Sequence, residues 1–255
     1  MLCWKYMSLK WGLESVKSGW FKLSKSSEFN DPMDSIGNIY PVLPPALLNE
    51  LGGDADFYRG MMKDKRQIDN AYRFLCLSAA RKRGWYKSDP LLWAHYGDRG
   101  YGVRLTLDLP TDMPDGVNAS KVKYCLSQPL SVCPCKRDAL LSWLFHHYEK
   151  CLSRKGLAWK YEREVRVMVD MLKVDQEDVY TDDRTGFSFL RIPPKTIKEV
   201  AFGVRVPNVM VSKLSKELRE IQNLGHLKIT KAEIDYDGYV YRYGAVDHED
   251  ASSRF

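Results

Sequence analysis

Residues 2–23 read LCWKYM, SLKWGLESVKS, G and WFKL, three patterns in immediate succession. Leu2–Met7 and Trp20–Leu23 are short apolar runs bounded by turn residues, which predicts strands. Between them the apolar residues recur at helical spacing and Gly19 is a stop signal, which predicts a helix over Leu9–Ser18. Working outward, further strands are predicted at 72–78, 102–107, 121–125, 165–171, 187–192, 198–203, 226–234 and 239–243. Further helices are predicted at 46–51, 56–65, 90–96, 138–153 and 208–223, with Ser88 and Asn208 at cap positions and Pro90 suited to a first turn. The helix 138–153 aligns Leu140, Leu141, Leu144, Phe145, Tyr148 and Leu152 on one face, a stripe suited to packing on a sheet. Strands outnumber helices and keep no strict βαβ rhythm, so the expected fold class is α+β, with a mixed or antiparallel sheet and flanking helices. No repeat and no Pro/Gly/Ser-rich linker divides the chain, and 40–45, 111–118 and 175–186 read as surface loops. The expected organisation is one domain over 1–246 and a frayed tail over 247–255.

The 255 residues lie near the upper limit for one hydrophobic core, and 44% hydrophobic with 28% charged residues describes a folded protein. No run of eighteen apolar residues occurs, and Lys5 and Lys10 stand where a signal peptide needs its apolar stretch. The expectation is a cytoplasmic protein without a membrane partner, its six cysteines (3, 76, 125, 133, 135 and 151) reduced. The net charge is +6, and its excess is local: between Lys121 and Arg166 ten Lys and Arg face four Asp and Glu. Such a segment attracts nucleotides, nucleic acid or phosphorylated ligands, or forms a solvated face.

Neither GxxxxGK[ST] nor GxGxxG occurs, which argues against P-loop ATPases and dinucleotide-binding Rossmann domains. His146 and His147 point about 100° apart on a helix and cannot chelate one ion from one face. Cys133-Pro-Cys135, with Cys125 and Cys151 nearby, lacks a second matching knuckle, so no metal is expected.

Chemistry concentrates in four stretches: Trp4-Lys5-Tyr6 on the first strand; the polar loop 24–34, SKSSEFNDPMD; the helix end LWAHYG at 92–97; and WKYEREVR at 159–166. On a strand, period two would put Glu162, Glu164 and Arg166 on one face, with Arg166 holding one carboxylate ionised while the other acts. The same pattern also describes a salt-bridged sheet edge, and FNDP also describes an Asx-turn.

In order, KYMS, LSKSSEFNDPMD, FLCLS, LLWAHYG followed by GVRLTLD, WKYEREVRV and IPPKTIKEVAFGVRV resemble the bacterial domain of unknown function 2971 family over 2–206. Departures are Val165, where that family has Trp, and the basic run 79–83. The family confers no function by itself. A looser similarity links the order of β-strand, helix, strand, polar loop, hydrophobic-Ser strand and late Glu-x-Glu to the ADP-ribosyltransferase superfold. That resemblance implies NAD as substrate, held by Lys5 or Tyr6 and by Ser24 or Ser78, with Glu164 acting on the ribose. Lys5 departs from the Arg or His usual there. Glu162 would take a proton from a protein or nucleic-acid acceptor. Phe29, Asn30 and Asp31 of the loop, Trp93, His95, Tyr96 and Arg166 complete the expected binding set. A toxin-like or anti-phage setting suits such an enzyme. Two other readings stay open: a nuclease using Glu162, Glu164, Asp31 and Lys5, and a non-catalytic nucleotide- or nucleic-acid-binding module.

Overall fold

Apolar residues at every second position of the central strands dictate a sheet with one dry face. The computed structural model describes residues 1–31, 34, 70–80, 89–126, 152–237 and 240–246. Its strands are β1 (Leu2–Met7), β2 (Trp20–Leu23), β3 (Tyr72–Ala79), β4 (Val103–Asp108), β5 (Val117–Lys121), β6 (Lys123–Cys125) and β7 (Arg154–Gly156). There follow β8 (Glu164–Asp170), β9 (Val179–Thr181), β10 (Ser188–Arg191), β11 (Ile197–Phe202), β12 (Lys228–Asp235) and β13 (Val240–Ala245). The helices are α1 (Leu9–Ser18), α2 (Asp89–Tyr96) and α3 (Asn208–Glu220).

The fold is α+β. An eight-stranded sheet in the order β13-β12-β11-β4-β1-β3-β8-β5 is antiparallel throughout except for the parallel pair β11 and β12. A small sheet runs β2-β10-β9, and β6 pairs with β7 in parallel.

The dry face carries Cys3, Leu75, Leu77, Leu105, Val165 and Val167, packed in one core with Val16 of α1, Phe21 of β2, Leu190 of β10 and Val211 of α3. The opposite face is mixed, with buried polar residues between two smaller apolar clusters. Directly paired residues share a face, so the register lines up Thr106, Trp4, Ser78 and Glu164 across β4, β1, β3 and β8, with Cys76 beside Arg166. On this side Leu92 and Trp93 of α2 pack with Trp4 and Tyr6.

Gly19 ends α1 in the left-handed conformation, φ 77°, and its N–H reaches the Ser15 carbonyl, as a stop signal requires. Gly102 serves close approach: a Cβ there would lie 2.0 Å from the Met7 carbonyl oxygen and 2.8 Å from that of Gly97. Both obstacles are backbone, so Gly102→Ala is expected to destabilise the fold by about 1–3 kcal/mol, read as a lower denaturant midpoint.

Several boundaries move. Predicted strand 121–125 divides between the end of β5 and β6, and β5 begins inside the expected loop 111–118. The expected loop 175–186 contains β9. Asn208 is the first residue of α3, with Pro207 at the cap position. The predicted helices 46–51 and 56–65, Ser88, His146, His147, the tail 247–255 and helix 138–153 up to its last two residues lie outside the described residues.

Candidate active site at the split between two strands

β1 follows β4 from Leu2 to Met7, but its register with β3 covers Cys3 and Trp4. Beyond Trp4 the two strands part. Ser24, just past β2, bridges to β3 instead: its N–H donates to the Phe74 carbonyl at 2.8 Å and its carbonyl accepts from the Phe74 N–H at 2.9 Å. Between these attachments Lys5 Nζ donates to the Cys76 carbonyl at 2.9 Å. A buried carbonyl left unbonded costs about 1–3 kcal/mol, so the lysine satisfies an edge that the splayed ladder exposes.

The split is a cleft of about 220 Å³. Trp4, Lys5 and Tyr6 form one wall, Ser24, Glu28, Phe29 and Asn30 another, and Cys76, Leu77 and Ser78 the floor. Asp34, Tyr96, Lys155, Glu162 and Glu164 complete the lining.

The acidic pair reaches the cleft by a route that strand periodicity does not describe. Glu164 opens β8, whereas Glu162 ends a 3-10 turn at Leu157–Glu162, and Arg163 between them is left-handed with φ 48°. That conformation costs a non-glycine residue about 1–2 kcal/mol. The expectation of three side chains on one strand face is therefore corrected: Glu164 and Arg166 share it, and a turn brings Glu162 alongside. Lys155 Nζ lies 2.6 Å from Glu162 Oε2, 3.1 Å from Glu164 Oε2 and 3.5 Å from Asp34 Oδ2. From behind, Arg166 grips Glu164 with Nε at 2.7 Å and Nη2 at 3.0 Å, and Asp34 with Nη1 at 3.2 Å and Nη2 at 2.9 Å. Its Nη1 also donates to the Leu152 carbonyl at 2.6 Å. The Tyr96 hydroxyl donates to Glu162 Oε1, and Tyr124 Oη accepts the Glu164 N–H at 2.6 Å.

The electrostatics follow from these contacts. Burial pushes the Glu164 carboxyl up, but the Arg166 guanidinium and then Lys155 overcome it and hold the group down at about 2. Burial pulls the Lys155 ammonium down, and Glu164 and Glu162 more than reverse this, leaving it above its ordinary value. Burial lowers the Lys5 ammonium, which Cys76 and Glu164 only partly oppose. The Cys76 thiol is pushed well up by burial and by Glu164, so it stays protonated and is no nucleophile. Tyr96 is likewise raised by burial and by its bond to Glu162, and keeps its proton. The cleft thus presents Glu164, ionised at neutral pH, beside Glu162, which contacts a hydroxyl and an ammonium.

Of the residues expected from sequence, Lys5, Tyr6, Ser24, Phe29, Asn30, Ser78, Tyr96, Glu162 and Glu164 line the cleft. Tyr6 contributes its ring, since its hydroxyl is committed to Asp89 Oδ1 at 2.8 Å. Asp31 lies outside the lining. Trp93 is buried edge-on against Tyr6, its indole N–H on Tyr243 Oη at 3.1 Å, and makes core rather than a stacking surface. His95 is exposed outside the cleft, beside Tyr96 and Tyr161. Arg166 supports Glu164 from behind and does not line the cavity. Sequence reasoning missed Trp4, Glu28, Asp34, Cys76, Leu77 and Lys155 as lining residues. Asp34 closes the FNDPMD stretch and Cys76 sits inside FLCLS, so motif position was an available signal for both. Lys155 carries no signal beyond membership of the basic segment.

Among the described residues no group of His, Cys, Asp and Glu is arranged to hold a metal ion, and no helix is long and apolar enough to cross a membrane. Cys125 is a free, half-buried thiol; Cys133, Cys135 and Cys151 lie outside the described residues, as does most of the basic segment. No family model, curated protein or solved structure matches the chain.

Proposed function

We propose that the protein breaks the nicotinamide N-glycosidic bond of NAD or a related nucleotide, hydrolysing it or passing the ADP-ribosyl group to a protein or nucleic-acid acceptor. One observation carries the reading: Glu162 and Glu164 meet Lys5, Ser24, Ser78 and Tyr96 in a single cleft at a sheet split. The resemblance to the ADP-ribosyltransferase superfold implies the same chemistry from the same residues. As the glycosidic bond breaks, its electron pair leaves with nicotinamide and the ribose becomes oxocarbenium-like. Glu164, ionised by Arg166 and Lys155, supplies the opposite charge where the cation develops. Water or an acceptor then attacks the ribose, and where an acceptor attacks, Glu162 takes its proton. A cytoplasmic toxin-like or anti-phage enzyme that engages no membrane is the setting this proposal favours.

Incubating the protein with NAD labelled in the adenine and nicotinamide halves, with and without cell lysate, tests the reading. Nicotinamide release is expected, with adenine label transferred to macromolecules if an acceptor is used. Absence of release under both conditions overturns it, and EDTA-sensitive cleavage of nucleic acid would replace it by the nuclease. Glu162→Gln is expected to spare nicotinamide release while reducing transfer to acceptor about 10²-fold, because only the second step needs its basicity. The ratio of free to transferred ADP-ribose measures this directly.

A further inference from the structure

Like-charged carboxylates in a shared, poorly hydrated site do not both stay ionised unless a cation compensates them. The pair here shares the Lys155 ammonium. Lys155 Nζ lies within 2.6 Å of Glu162 and 3.1 Å of Glu164, with its side chain 8% exposed. β7 is held beside β6 by register with Lys123, Tyr124 and Cys125, and the Trp159 ring lies 4.9 Å from the ammonium. The cation is fenced in at one place. Glu164 has a second cation, the fork of Arg166, whereas among the described residues Glu162 pairs with Lys155.

We infer that Lys155 is a positioning residue that keeps Glu162 and Glu164 ionised together, so that one can stabilise positive charge while the other accepts a proton. The assignment of those two roles rests on the proposed function; the shared ionisation does not. The groups facing the pair support it element by element. Among the described residues Arg166 on β8 and Lys5 on β1 are the other cations, and Asp34 adds a further carboxylate that Lys155 and Arg166 both meet. Tyr96 on α2, Tyr124 on β6, Tyr161 of the 3-10 turn and the Cys76 thiol on β3 are all held protonated and neutral, so they add no charge of either sign. Remove Lys155, and Glu162 loses the cation it meets at 2.6 Å, and Glu164 the one it meets at 3.1 Å besides Arg166. The least compensated carboxyl then keeps its proton to a higher pH than in the wild type and over that range is no base.

The test is an NMR titration of the full chain with ¹³C-labelled glutamate carboxyls, in wild type, Lys155→Met, Lys155→Gln and Lys155→Arg. Resonances are assigned through Glu162→Gln and Glu164→Gln. In the neutral variants one carboxyl of the pair is expected to titrate about one pH unit or more higher than in wild type, and Lys155→Arg is expected to restore the wild-type curve. Lys155→Gln keeps a donor and most of the stem, and covers the case in which Lys155→Met does not fold. An unchanged titration in a folded neutral variant overturns the inference, as does an upward shift in Lys155→Arg equal to that in Lys155→Met. No substrate is needed, so the outcome is readable whether or not NAD is consumed. Where it is consumed, the acid limb of the rate profile is expected to move upward by the same amount, a shift that mere loosening of the fold would not produce.

Discussion

Glu164→Gln is expected to lower nicotinamide release from NAD about 10²- to 10³-fold, the range for removing a preorganised electrostatic partner of a charged transition state. The substitution keeps the volume and removes the charge. On sequence alone an isosteric change suggests an undisturbed fold, and the geometry corrects this. Glu164 accepts from Arg166 on both oxygens and from Lys155 on one. A carboxamide has one accepting oxygen, so its –NH₂ must face a cation that can only donate. A stability loss of about 1–3 kcal/mol therefore accompanies the kinetic one. Turnover is to be measured at a temperature where circular dichroism shows the variant fully folded, with NAD binding followed separately. Equal NAD consumption by folded wild type and variant would rule out Glu164 as the charge that stabilises the reacting ribose.

Arg166→Met carries the largest expected effect on stability, about 3–5 kcal/mol by denaturant unfolding, because it strands buried charge rather than removing an ion pair whole. Glu164 and Asp34 both lose their grip, and the Leu152 carbonyl loses its donor. The guanidinium also lies 4.7 Å from the Phe29 ring, so one side chain ties the loop after β2 to β8. The loss has a definite pH signature. Glu164 is depressed from 4.5 to about 2, so its contribution is fully present above the unfolded-chain value and disappears as pH falls toward the folded one. The gap between wild type and Arg166→Met should therefore be widest above pH 5 and narrow below 4. A gap that stays constant from neutral pH to pH 2 would show that lost packing, not lost charge, accounts for it.

How much of this was legible depended on the range of the interaction concerned. β1, α1 and β2 were readable because a six-residue apolar run, a helical stripe and Gly19 are local signals. β7 and β9 span three residues each, too few for a period, and are strands because a neighbouring strand offers partners. The acidic pair was found for a partly mistaken reason: adjacency in sequence forced proximity, but nothing in Arg163 advertises a left-handed turn. Trp93 and His95, two positions apart on α2, point about 200° away from one another, so one enters the core while the other faces solvent. Composition marks both as ligand candidates; packing excludes the first from the cleft. Lys155 could be found only by folding, since its importance comes from Glu162, Glu164 and Asp34 arriving around it.

The small sheet joins the large one at Ser24 through main-chain atoms, which separates architecture from chemistry at that point. A substitution of the Ser24 side chain is therefore expected to change what the cleft accepts while the main-chain bridge to Phe74 persists. Proline is the exception, having no N–H to donate. Lys5 has no such freedom, because it lines the cleft and its ammonium also seals the open backbone edge. Diversification of ligand choice on this scaffold is therefore expected to run through position 24 before position 5.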